Sequence, residues 1–417
     1  MNNADYVKVK DAAEKWGISE RRVRILCKEG RISGTFFDGK SYRIPENAKK
    51  PSDARCAGQS KQNYLKWKDD VIGIIDPDCN VRFTQPLYND TVRLYTRGLD
   101  FWSRQDFESF LSDRLVSKDR RDIEHILFKL GFSHYRILDL AFATRAINSA
   151  DLLWIAFDEA EKLSDVLSDV FKAVFGRKED LEGESVDSPE GYNIKRYGVY
   201  NGAYGIYKNR IHPLSTDVEA EVAVYKLACK LGVPCCPAYK VSDECVFSEF
   251  MYKIPDEYIV HFRRFFDYSR GSNEYYNLLS VRPQYQADFA KMIALDFITR
   301  QDDRHLSNIA VKINSAGESF YPLYDNGRSL FYEDAEETLA RAVKDIPSYS
   351  TVFGPEGSYY DFVMDLKSSG TDFGRLLNLD ITKKEIEKIL KESGFKSYRL
   401  DGNVEWIWNA LEIIRKA

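Results

Sequence analysis

The stretch Gln301-Asp302-Asp303-Arg304-His305-Leu306-Ser307-Asn308-Ile309 decides how the rest of the chain is read. Ahead of it, Phe289, Met292, Ile293 and Phe297 recur at helical spacing, so it follows an amphipathic helix. Behind it, Asn308–Ile313 and Ser319–Tyr324 alternate like strands about an Asn314-Ser315-Ala316-Gly317 turn, and the second strand leads into Asp325-Asn326-Gly327. An Asp five residues before an Asn, with a second Asp one hairpin away, is an arrangement that phosphoryl transfer can use. One carboxylate orients the attacking hydroxyl, while an amide oxygen and a second carboxylate suit Mg²⁺, a hard cation that prefers oxygen. Asp303 rather than Asp302 is the candidate base, because only Asp303 has Asn at +5. Asn308 and Asp325 are the candidate metal ligands. The plainer reading is a polar loop whose Asp and Asn serve turns and caps.

Upstream, Gly198-Val199-Tyr200-Asn201-Gly202-Ala203-Tyr204-Gly205 is punctuated by glycine and runs into Ile206-Tyr207-Lys208. Gly202 and Gly205 are candidates for letting backbone N–H groups approach phosphates, with Lys208 supplying positive charge. A simple hairpin fits the same residues. Thr216-Asp217-Val218-Glu219 then reads as a capping box opening a helix with Ala220, Val224, Leu227, Ala228 and Leu231 on one stripe. If Glu219 is spent on the cap, Glu221 is left to pair with Lys208; Glu219 is the fallback partner, and a solvated helix face is the plainer reading for both. Cys245–Met251 is an apolar strand whose end, Glu249-Phe250-Met251, would meet adenine in a two-lobed kinase; a core strand reads equally well.

Charge divides the chain. The first 55 residues carry 13 Lys/Arg and 8 Asp/Glu, a net of +5, which leaves −10 for residues 56–417 of a chain whose net is −5. Within this basic head, Val9–Trp16 and Glu20–Lys28 read as two helices joined at Gly17, and Arg31–Phe37 and Ser41–Ile44 flank an Asp38-Gly39-Lys40 turn. Pro45–Gln62 reads as a linker. Further on, Val71–Phe83 is expected to form a hairpin about Asp76-Pro77-Asp78, with helices over Arg104–Leu115, Asp119–Leu130 and Asp139–Phe175 and an exposed connection at Lys178–Glu190. The whole chain is 44% hydrophobic and 30% charged, a globular balance that excludes global disorder and collagen-like repeats. No apolar run nears the roughly 18 residues of a spanning helix. Seven cysteines without a Cys-x-x-Cys pair, and five His, make a poor disulfide framework and a poor zinc inventory. A cytoplasmic protein without a membrane partner is expected.

In this order, the parts resemble the HipA-like kinases, atypical serine/threonine kinases related to the phosphatidylinositol kinases. The family's Asp-x-His-x-x-Asn stretch matches Asp303, His305 and Asn308, its metal Asp matches Asp325, and its strand Lys and helix Glu match Lys208 and Glu221. Its connecting Glu-Phe matches Glu249-Phe250. The likeness covers about residues 190–417, and more loosely from Trp67. It implies an α+β, bilobal protein-kinase-like fold that uses ATP and Mg²⁺ to phosphorylate Ser/Thr of a protein substrate, or of itself. HipA toxins are associated with a phosphorylatable Ser in the phosphate loop, whereas residues 198–205 hold no Ser or Thr.

The head resembles a MerR- or excisionase-type winged helix-turn-helix. That resemblance implies double-stranded DNA contacts from Ser19, Glu20, Arg21, Arg22 and Arg24 at the start of the second helix, and from Lys40 and Arg43 on the wing. Such modules also bind proteins. The expected division is a head over 1–50, a linker over 51–68, a mixed unit over 69–185, a small lobe over 186–255 and a helical lobe over 256–417. A toxin or an autoregulated transcriptional regulator would fit. So would a nucleotide-sensing regulator without phosphotransfer, or a kinase acting on a lipid or small molecule.

Overall fold

The structure, a computed structural model, describes residues 6–17, 19–28, 32, 35–46, 48, 62–84, 90–112, 114–119, 123–167, 195–266, 278, 282–353 and 357–416. The expected connection at 178–190, and residues 168–175 of the expected long helix, lie outside them.

In the head, helices Val9–Trp16 and Glu20–Lys28 bury Val9, Ala12, Ala13, Val23, Leu26 and Cys27 against Ile32 and Ile44. Gly17 ends the first helix at φ 63°, a left-handed turn that favours glycine. Strand Tyr42–Pro45 lies between Tyr6–Lys8 and the short Phe36–Phe37, all antiparallel. The Asp38 carboxylate accepts the N–H groups of Lys40 and Ser41, closing the turn between the last two strands.

The next unit is a five-stranded antiparallel sheet in the spatial order Phe101–Trp102, Val81–Phe83, Asp70–Ile75, Asn63–Trp67, Leu153–Ala156. The hairpin about Asp76 forms as expected. Strand Asn63–Trp67 falls inside the span set aside as linker. The long helix expected from Asp139 is also corrected: Ile137–Ala143 is helical, Arg145 and Ala146 turn the chain at positive φ, and Leu153–Ala156 is a fully buried strand. A short apolar run such as Leu152–Phe157 satisfies a buried strand and a buried helix equally, so periodicity could not separate them.

A four-stranded antiparallel sheet follows, ordered Ala238–Ser242, Cys245–Glu249, Ala203–Asn209, Lys195–Tyr200. Helix Asp217–Leu231 packs on it, and its stripe of Ala220, Val224, Leu227, Ala228 and Leu231 is at most 1% exposed. A three-stranded sheet, Tyr258–His261, Ala310–Asn314, Gly317–Phe320, then joins a helical body in which Gln286–Thr299 packs on Tyr359–Ser368 and Ser397–Arg415. The strand expected over Ser319–Tyr324 stops at Phe320. Beyond it the chain crosses to the small lobe, where Leu323 bridges Cys235 in parallel. That crossing delivers Asp325 between the two lobes.

Candidate active site

Lys208 sits on the strand Ala203–Asn209 and Glu221 on the facing helix, with Nζ 2.9 Å from Glu221 Oε1. The same Nζ is 3.0 Å from Asp325 Oδ1. The pairing of Lys208 with Glu221 is as expected, although the reasoning that led to it fails in one step. Glu219 closes no capping box; it forms a bidentate pair with Arg210 and also meets Lys240. Glu221 further accepts the Ser248 hydroxyl, which fixes its carboxylate from a second direction.

Burial alone would raise the Asp325 carboxyl, but the Lys195 and Lys208 ammoniums overcome it and hold Asp325 well below the usual carboxylate range. Lys195 was not anticipated. It lies directly across the hairpin from Lys208, and its Nζ is 3.4 Å from Asp325 Oδ2. The Asn201-Gly202 pair held that information: both residues take positive φ in a two-residue turn, which fixes the register and so places Lys195 opposite Lys208. Gly202 thus serves the turn. At Gly205 a Cβ would lie 2.2 Å from the Ser248 carbonyl oxygen, so glycine there permits close packing of the two strands.

The candidate catalytic stretch is held by its own backbone. The Asn308 Nδ2 donates to the Asp303 carbonyl at 2.9 Å, which fixes the amide and commits its nitrogen away from any cation. His305 Nδ1 accepts the Ser307 N–H at 3.2 Å, so a neutral His305 carries its proton on Nε2. Arg328 lies beside both acids, 3.2 Å from Asp302 and 3.4 Å from Asp303. Burial, resisted by Arg328 and Arg300, pushes the Asp302 carboxyl up to about 6.

Arg304, at a variable position of the Asp-x-His-x-x-Asn stretch, is an organiser. Its guanidinium pairs with Asp296 on the preceding helix at 3.0 Å and donates to Asn308 O, Tyr324 O and Asn326 Oδ1. One fully buried cation therefore ties the Asp303–Asn308 stretch to both neighbours of Asp325. No spacing rule pointed to it, because its partners lie 4 to 22 residues away.

These groups converge on a cavity of about 760 Å³ between the lobes, within the usual range for small-molecule sites. Lys195, Lys208, Glu249, Phe250, Asp303, His305, Asn308 and Asp325 line it; Gly202, Gly205, Glu221 and Met251 do not. At Glu249–Met251 the three N–H groups donate to Pro237 O, Tyr204 O and Tyr321 Oη, so these amides are already engaged. The unit before the small lobe adds a wall of its own. Ser149 Oγ bonds Tyr197 Oη at 2.8 Å and the Ala150 carbonyl accepts Ile259 N–H at 2.8 Å, so one loop touches both lobes. Among the described residues no group of three or more His, Cys, Asp and Glu could hold a metal. An Asn oxygen and one carboxylate facing a cavity still fit Mg²⁺, which is commonly bound through one or two carboxylates together with substrate phosphates.

At the cavity's edge, His261 Nδ1 is 2.9 Å from Tyr324 Oη, whose hydroxyl donates to Ser307 O. Burial, helped by Arg264, pushes the imidazole down to about 4. A folded-state value below the unfolded one, about 6.5, costs stability as pH falls from 6.5 toward 4. Asp302 acts in the opposite sense, so the test is a comparison. His261→Gln should lose less stability than the parent across that window, and the His261 ring signals should titrate near 4. A midpoint near 6.5 would contradict this.

In the head, Arg21 and Lys40 are exposed, Arg24 pairs with Glu20 at 2.6 Å, and the Ser19 carbonyl accepts Val23 N–H. Arg43 is drawn back to Asp38 at 2.7 Å. The Arg22 side chain lies outside the described residues.

No protein-family model matches the chain, and no curated protein matches it. Solved structures do. A chain from the Shewanella oneidensis MR-1 toxin–antitoxin system HipA, HipB and its operator DNA is 16% identical, with a TM-score of 0.50, covering 85% of this chain and 97% of that one. The likeness is one of fold: this chain folds as that Shewanella chain does. The Helicobacter pylori proinflammatory kinase CtkA is 14% identical with a TM-score of 0.42, covering 53% of this chain and 90% of that one. Helix and sheet content is mixed here, with several small antiparallel sheets. No helix among the described residues is long and apolar enough to cross a membrane.

Proposed function

We propose that this chain is an ATP- and Mg²⁺-dependent serine/threonine protein kinase of the HipA-like kind, carrying a DNA-binding head. The observation that carries the reading is the convergence of Lys208, Asp303, Asn308 and Asp325 on one cavity between two lobes. In this role Lys208, oriented by Glu221, and Lys195 meet the nucleotide phosphates. Asp303 accepts the proton of the acceptor hydroxyl and aims its oxygen at the phosphorus. Asn308 Oδ1 and the Asp325 carboxylate are the residues that would hold Mg²⁺. When bound, the ion supplies charge neutralisation for the phosphoryl group in transfer. His305, fixed by the Ser307 N–H, lines the same cavity.

The proposed division follows that expected from sequence, with strand Asn63–Trp67 moved from the linker into the mixed unit whose sheet it joins: a head over 1–50, a shortened linker, a mixed unit, and the two kinase lobes over 186–255 and 256–417. The Shewanella system was solved with HipB and operator DNA; here the DNA contact is proposed to lie in the same chain, which supports a cytoplasmic autoregulated regulator or toxin. If the head binds duplex DNA, Arg21→Ala and Lys40→Ala should each lower the salt dependence of affinity by about one unit of slope. Unchanged slopes in both variants would count against the head as a DNA module. For the kinase, the direct assay is incubation with labelled ATP and Mg²⁺, followed by mass spectrometry of the chain and of host lysate. Phosphorylated Ser or Thr supports the reading; consumption of neither ATP nor acceptor under any divalent ion rejects it.

A further inference from the structure

The two acids of the proposed site reach the cavity from separate segments, and one side chain spans them. Gln301 is wholly buried. Its Oε1 accepts the Asp303 N–H at 2.9 Å, while its Nε2 donates to the Asp325 carbonyl at 3.2 Å. Its own backbone is fixed as well, with N–H donating to Asp296 O at 2.9 Å and the carbonyl accepting Thr351 Oγ1 at 2.5 Å. Asp325 has φ 57°, a left-handed conformation costing a non-glycine residue on the order of 1 kcal/mol or more. Holding its carbonyl is one way to keep it there. Arg304 binds the residues on either side of Asp325, Tyr324 and Asn326, and does not bridge the two acids directly.

We propose that Gln301 is a positioning residue that sets the separation of the Asp303 and Asp325 carboxylates, and through it both divalent-ion affinity and transfer rate. The inference rests on the kinase reading of those two acids. A carboxamide suits the task because it offers one acceptor and one donor on a single rigid plane. Glutamate has the same shape but turns a carboxylate oxygen toward the Asp325 carbonyl. Asparagine keeps both functions and is one methylene too short to reach both partners.

The test uses the full chain with Gln301→Glu and Gln301→Asn. Thr351→Val serves as a control that loosens the Gln301 backbone and leaves its carboxamide in place. For each, melting temperature, kcat, KM for ATP, and Mn²⁺ affinity in the presence of a non-hydrolysable ATP analogue are measured. We expect both Gln301 variants to lose about 10–100-fold in Mn²⁺ affinity or kcat, with the Thr351→Val protein retaining parental values at a comparable melt. If Gln301→Glu does not fold, Gln301→Asn carries the comparison. Loss that merely tracks the melt in all three variants overturns the inference, as do unaltered kcat and Mn²⁺ affinity in folded Gln301 variants. In either case an active parent leaves the kinase reading standing. A parent that neither binds Mn²⁺ with nucleotide nor turns ATP over overturns both.

Discussion

Asp303→Asn should lower ATP turnover about 10²–10⁴-fold, the usual worth of a positioned general base, while the melt stays near that of the parent. The structure makes this variant unusually clean. The contacts that hold residue 303 run through its backbone, the N–H to Gln301 and the carbonyl from Asn308. The carboxylate itself is 34% exposed and meets Arg328 at 3.4 Å, a pairing of little energetic weight at that exposure. Arg328 keeps Asp302 as a partner. Asp325→Asn should abolish turnover as well, but with a lower melt. It removes the negative partner that Lys208 and Lys195 share, leaving Glu221 as the carboxylate on Lys208. Measured side by side, the two variants separate chemistry from folding: turnover falls in both, stability in one. Retained turnover in Asp303→Asn would remove the base from the account.

The largest effect on stability is expected at Arg304. Replacing it with Met strands Asp296, whose carboxylate is fully buried and bonded besides to the Tyr359 hydroxyl. Breaking one side of a buried pair costs about 3–5 kcal/mol, and the carbonyls of Asn308 and Tyr324 lose a donor as well. Burial already pushes the Asp296 carboxyl up with Arg304 beside it. Without the guanidinium its folded-state value rises further above the unfolded one. Protonation then favours the folded chain, so the deficit of Arg304→Met should shrink as pH falls. Denaturant melts at neutral and mildly acidic pH check the sign. Adding Asp296→Asn should recover part of the loss at neutral pH; no recovery would mean that the lost backbone contacts dominate.

Much of the candidate site's geometry was legible in sequence because its residues sit at short, regular offsets. Asp303 and Asn308 lie on one loop, and the hairpin that follows is announced by its own turn. Lys208 and Glu221 were paired correctly, yet by elimination through a capping box that does not form. The strand-to-helix order alone was enough, and Arg210, which claims Glu219, was overlooked. What escaped was mostly long-range. Arg304, and Gln301 in its reach to Asp325, act on partners brought near by tertiary packing, which no local window reports; Lys195 is readable locally, from the register that the Asn201-Gly202 turn sets. The overextended helix from Asp139 failed for a different reason: burial on both faces erases the alternation that marks a strand.

In the proposed mechanism Asn308 and Asp325 grip one divalent ion in front of Lys208. A crystal of the full chain grown with Mn²⁺ and a non-hydrolysable ATP analogue tests it through the anomalous signal of the metal. A peak is expected within about 2.0–2.3 Å of Asn308 Oδ1 and an Asp325 carboxylate oxygen, with Lys208 turned to the phosphates. Nucleotide bound elsewhere, or a metal peak away from both side chains, would contradict it.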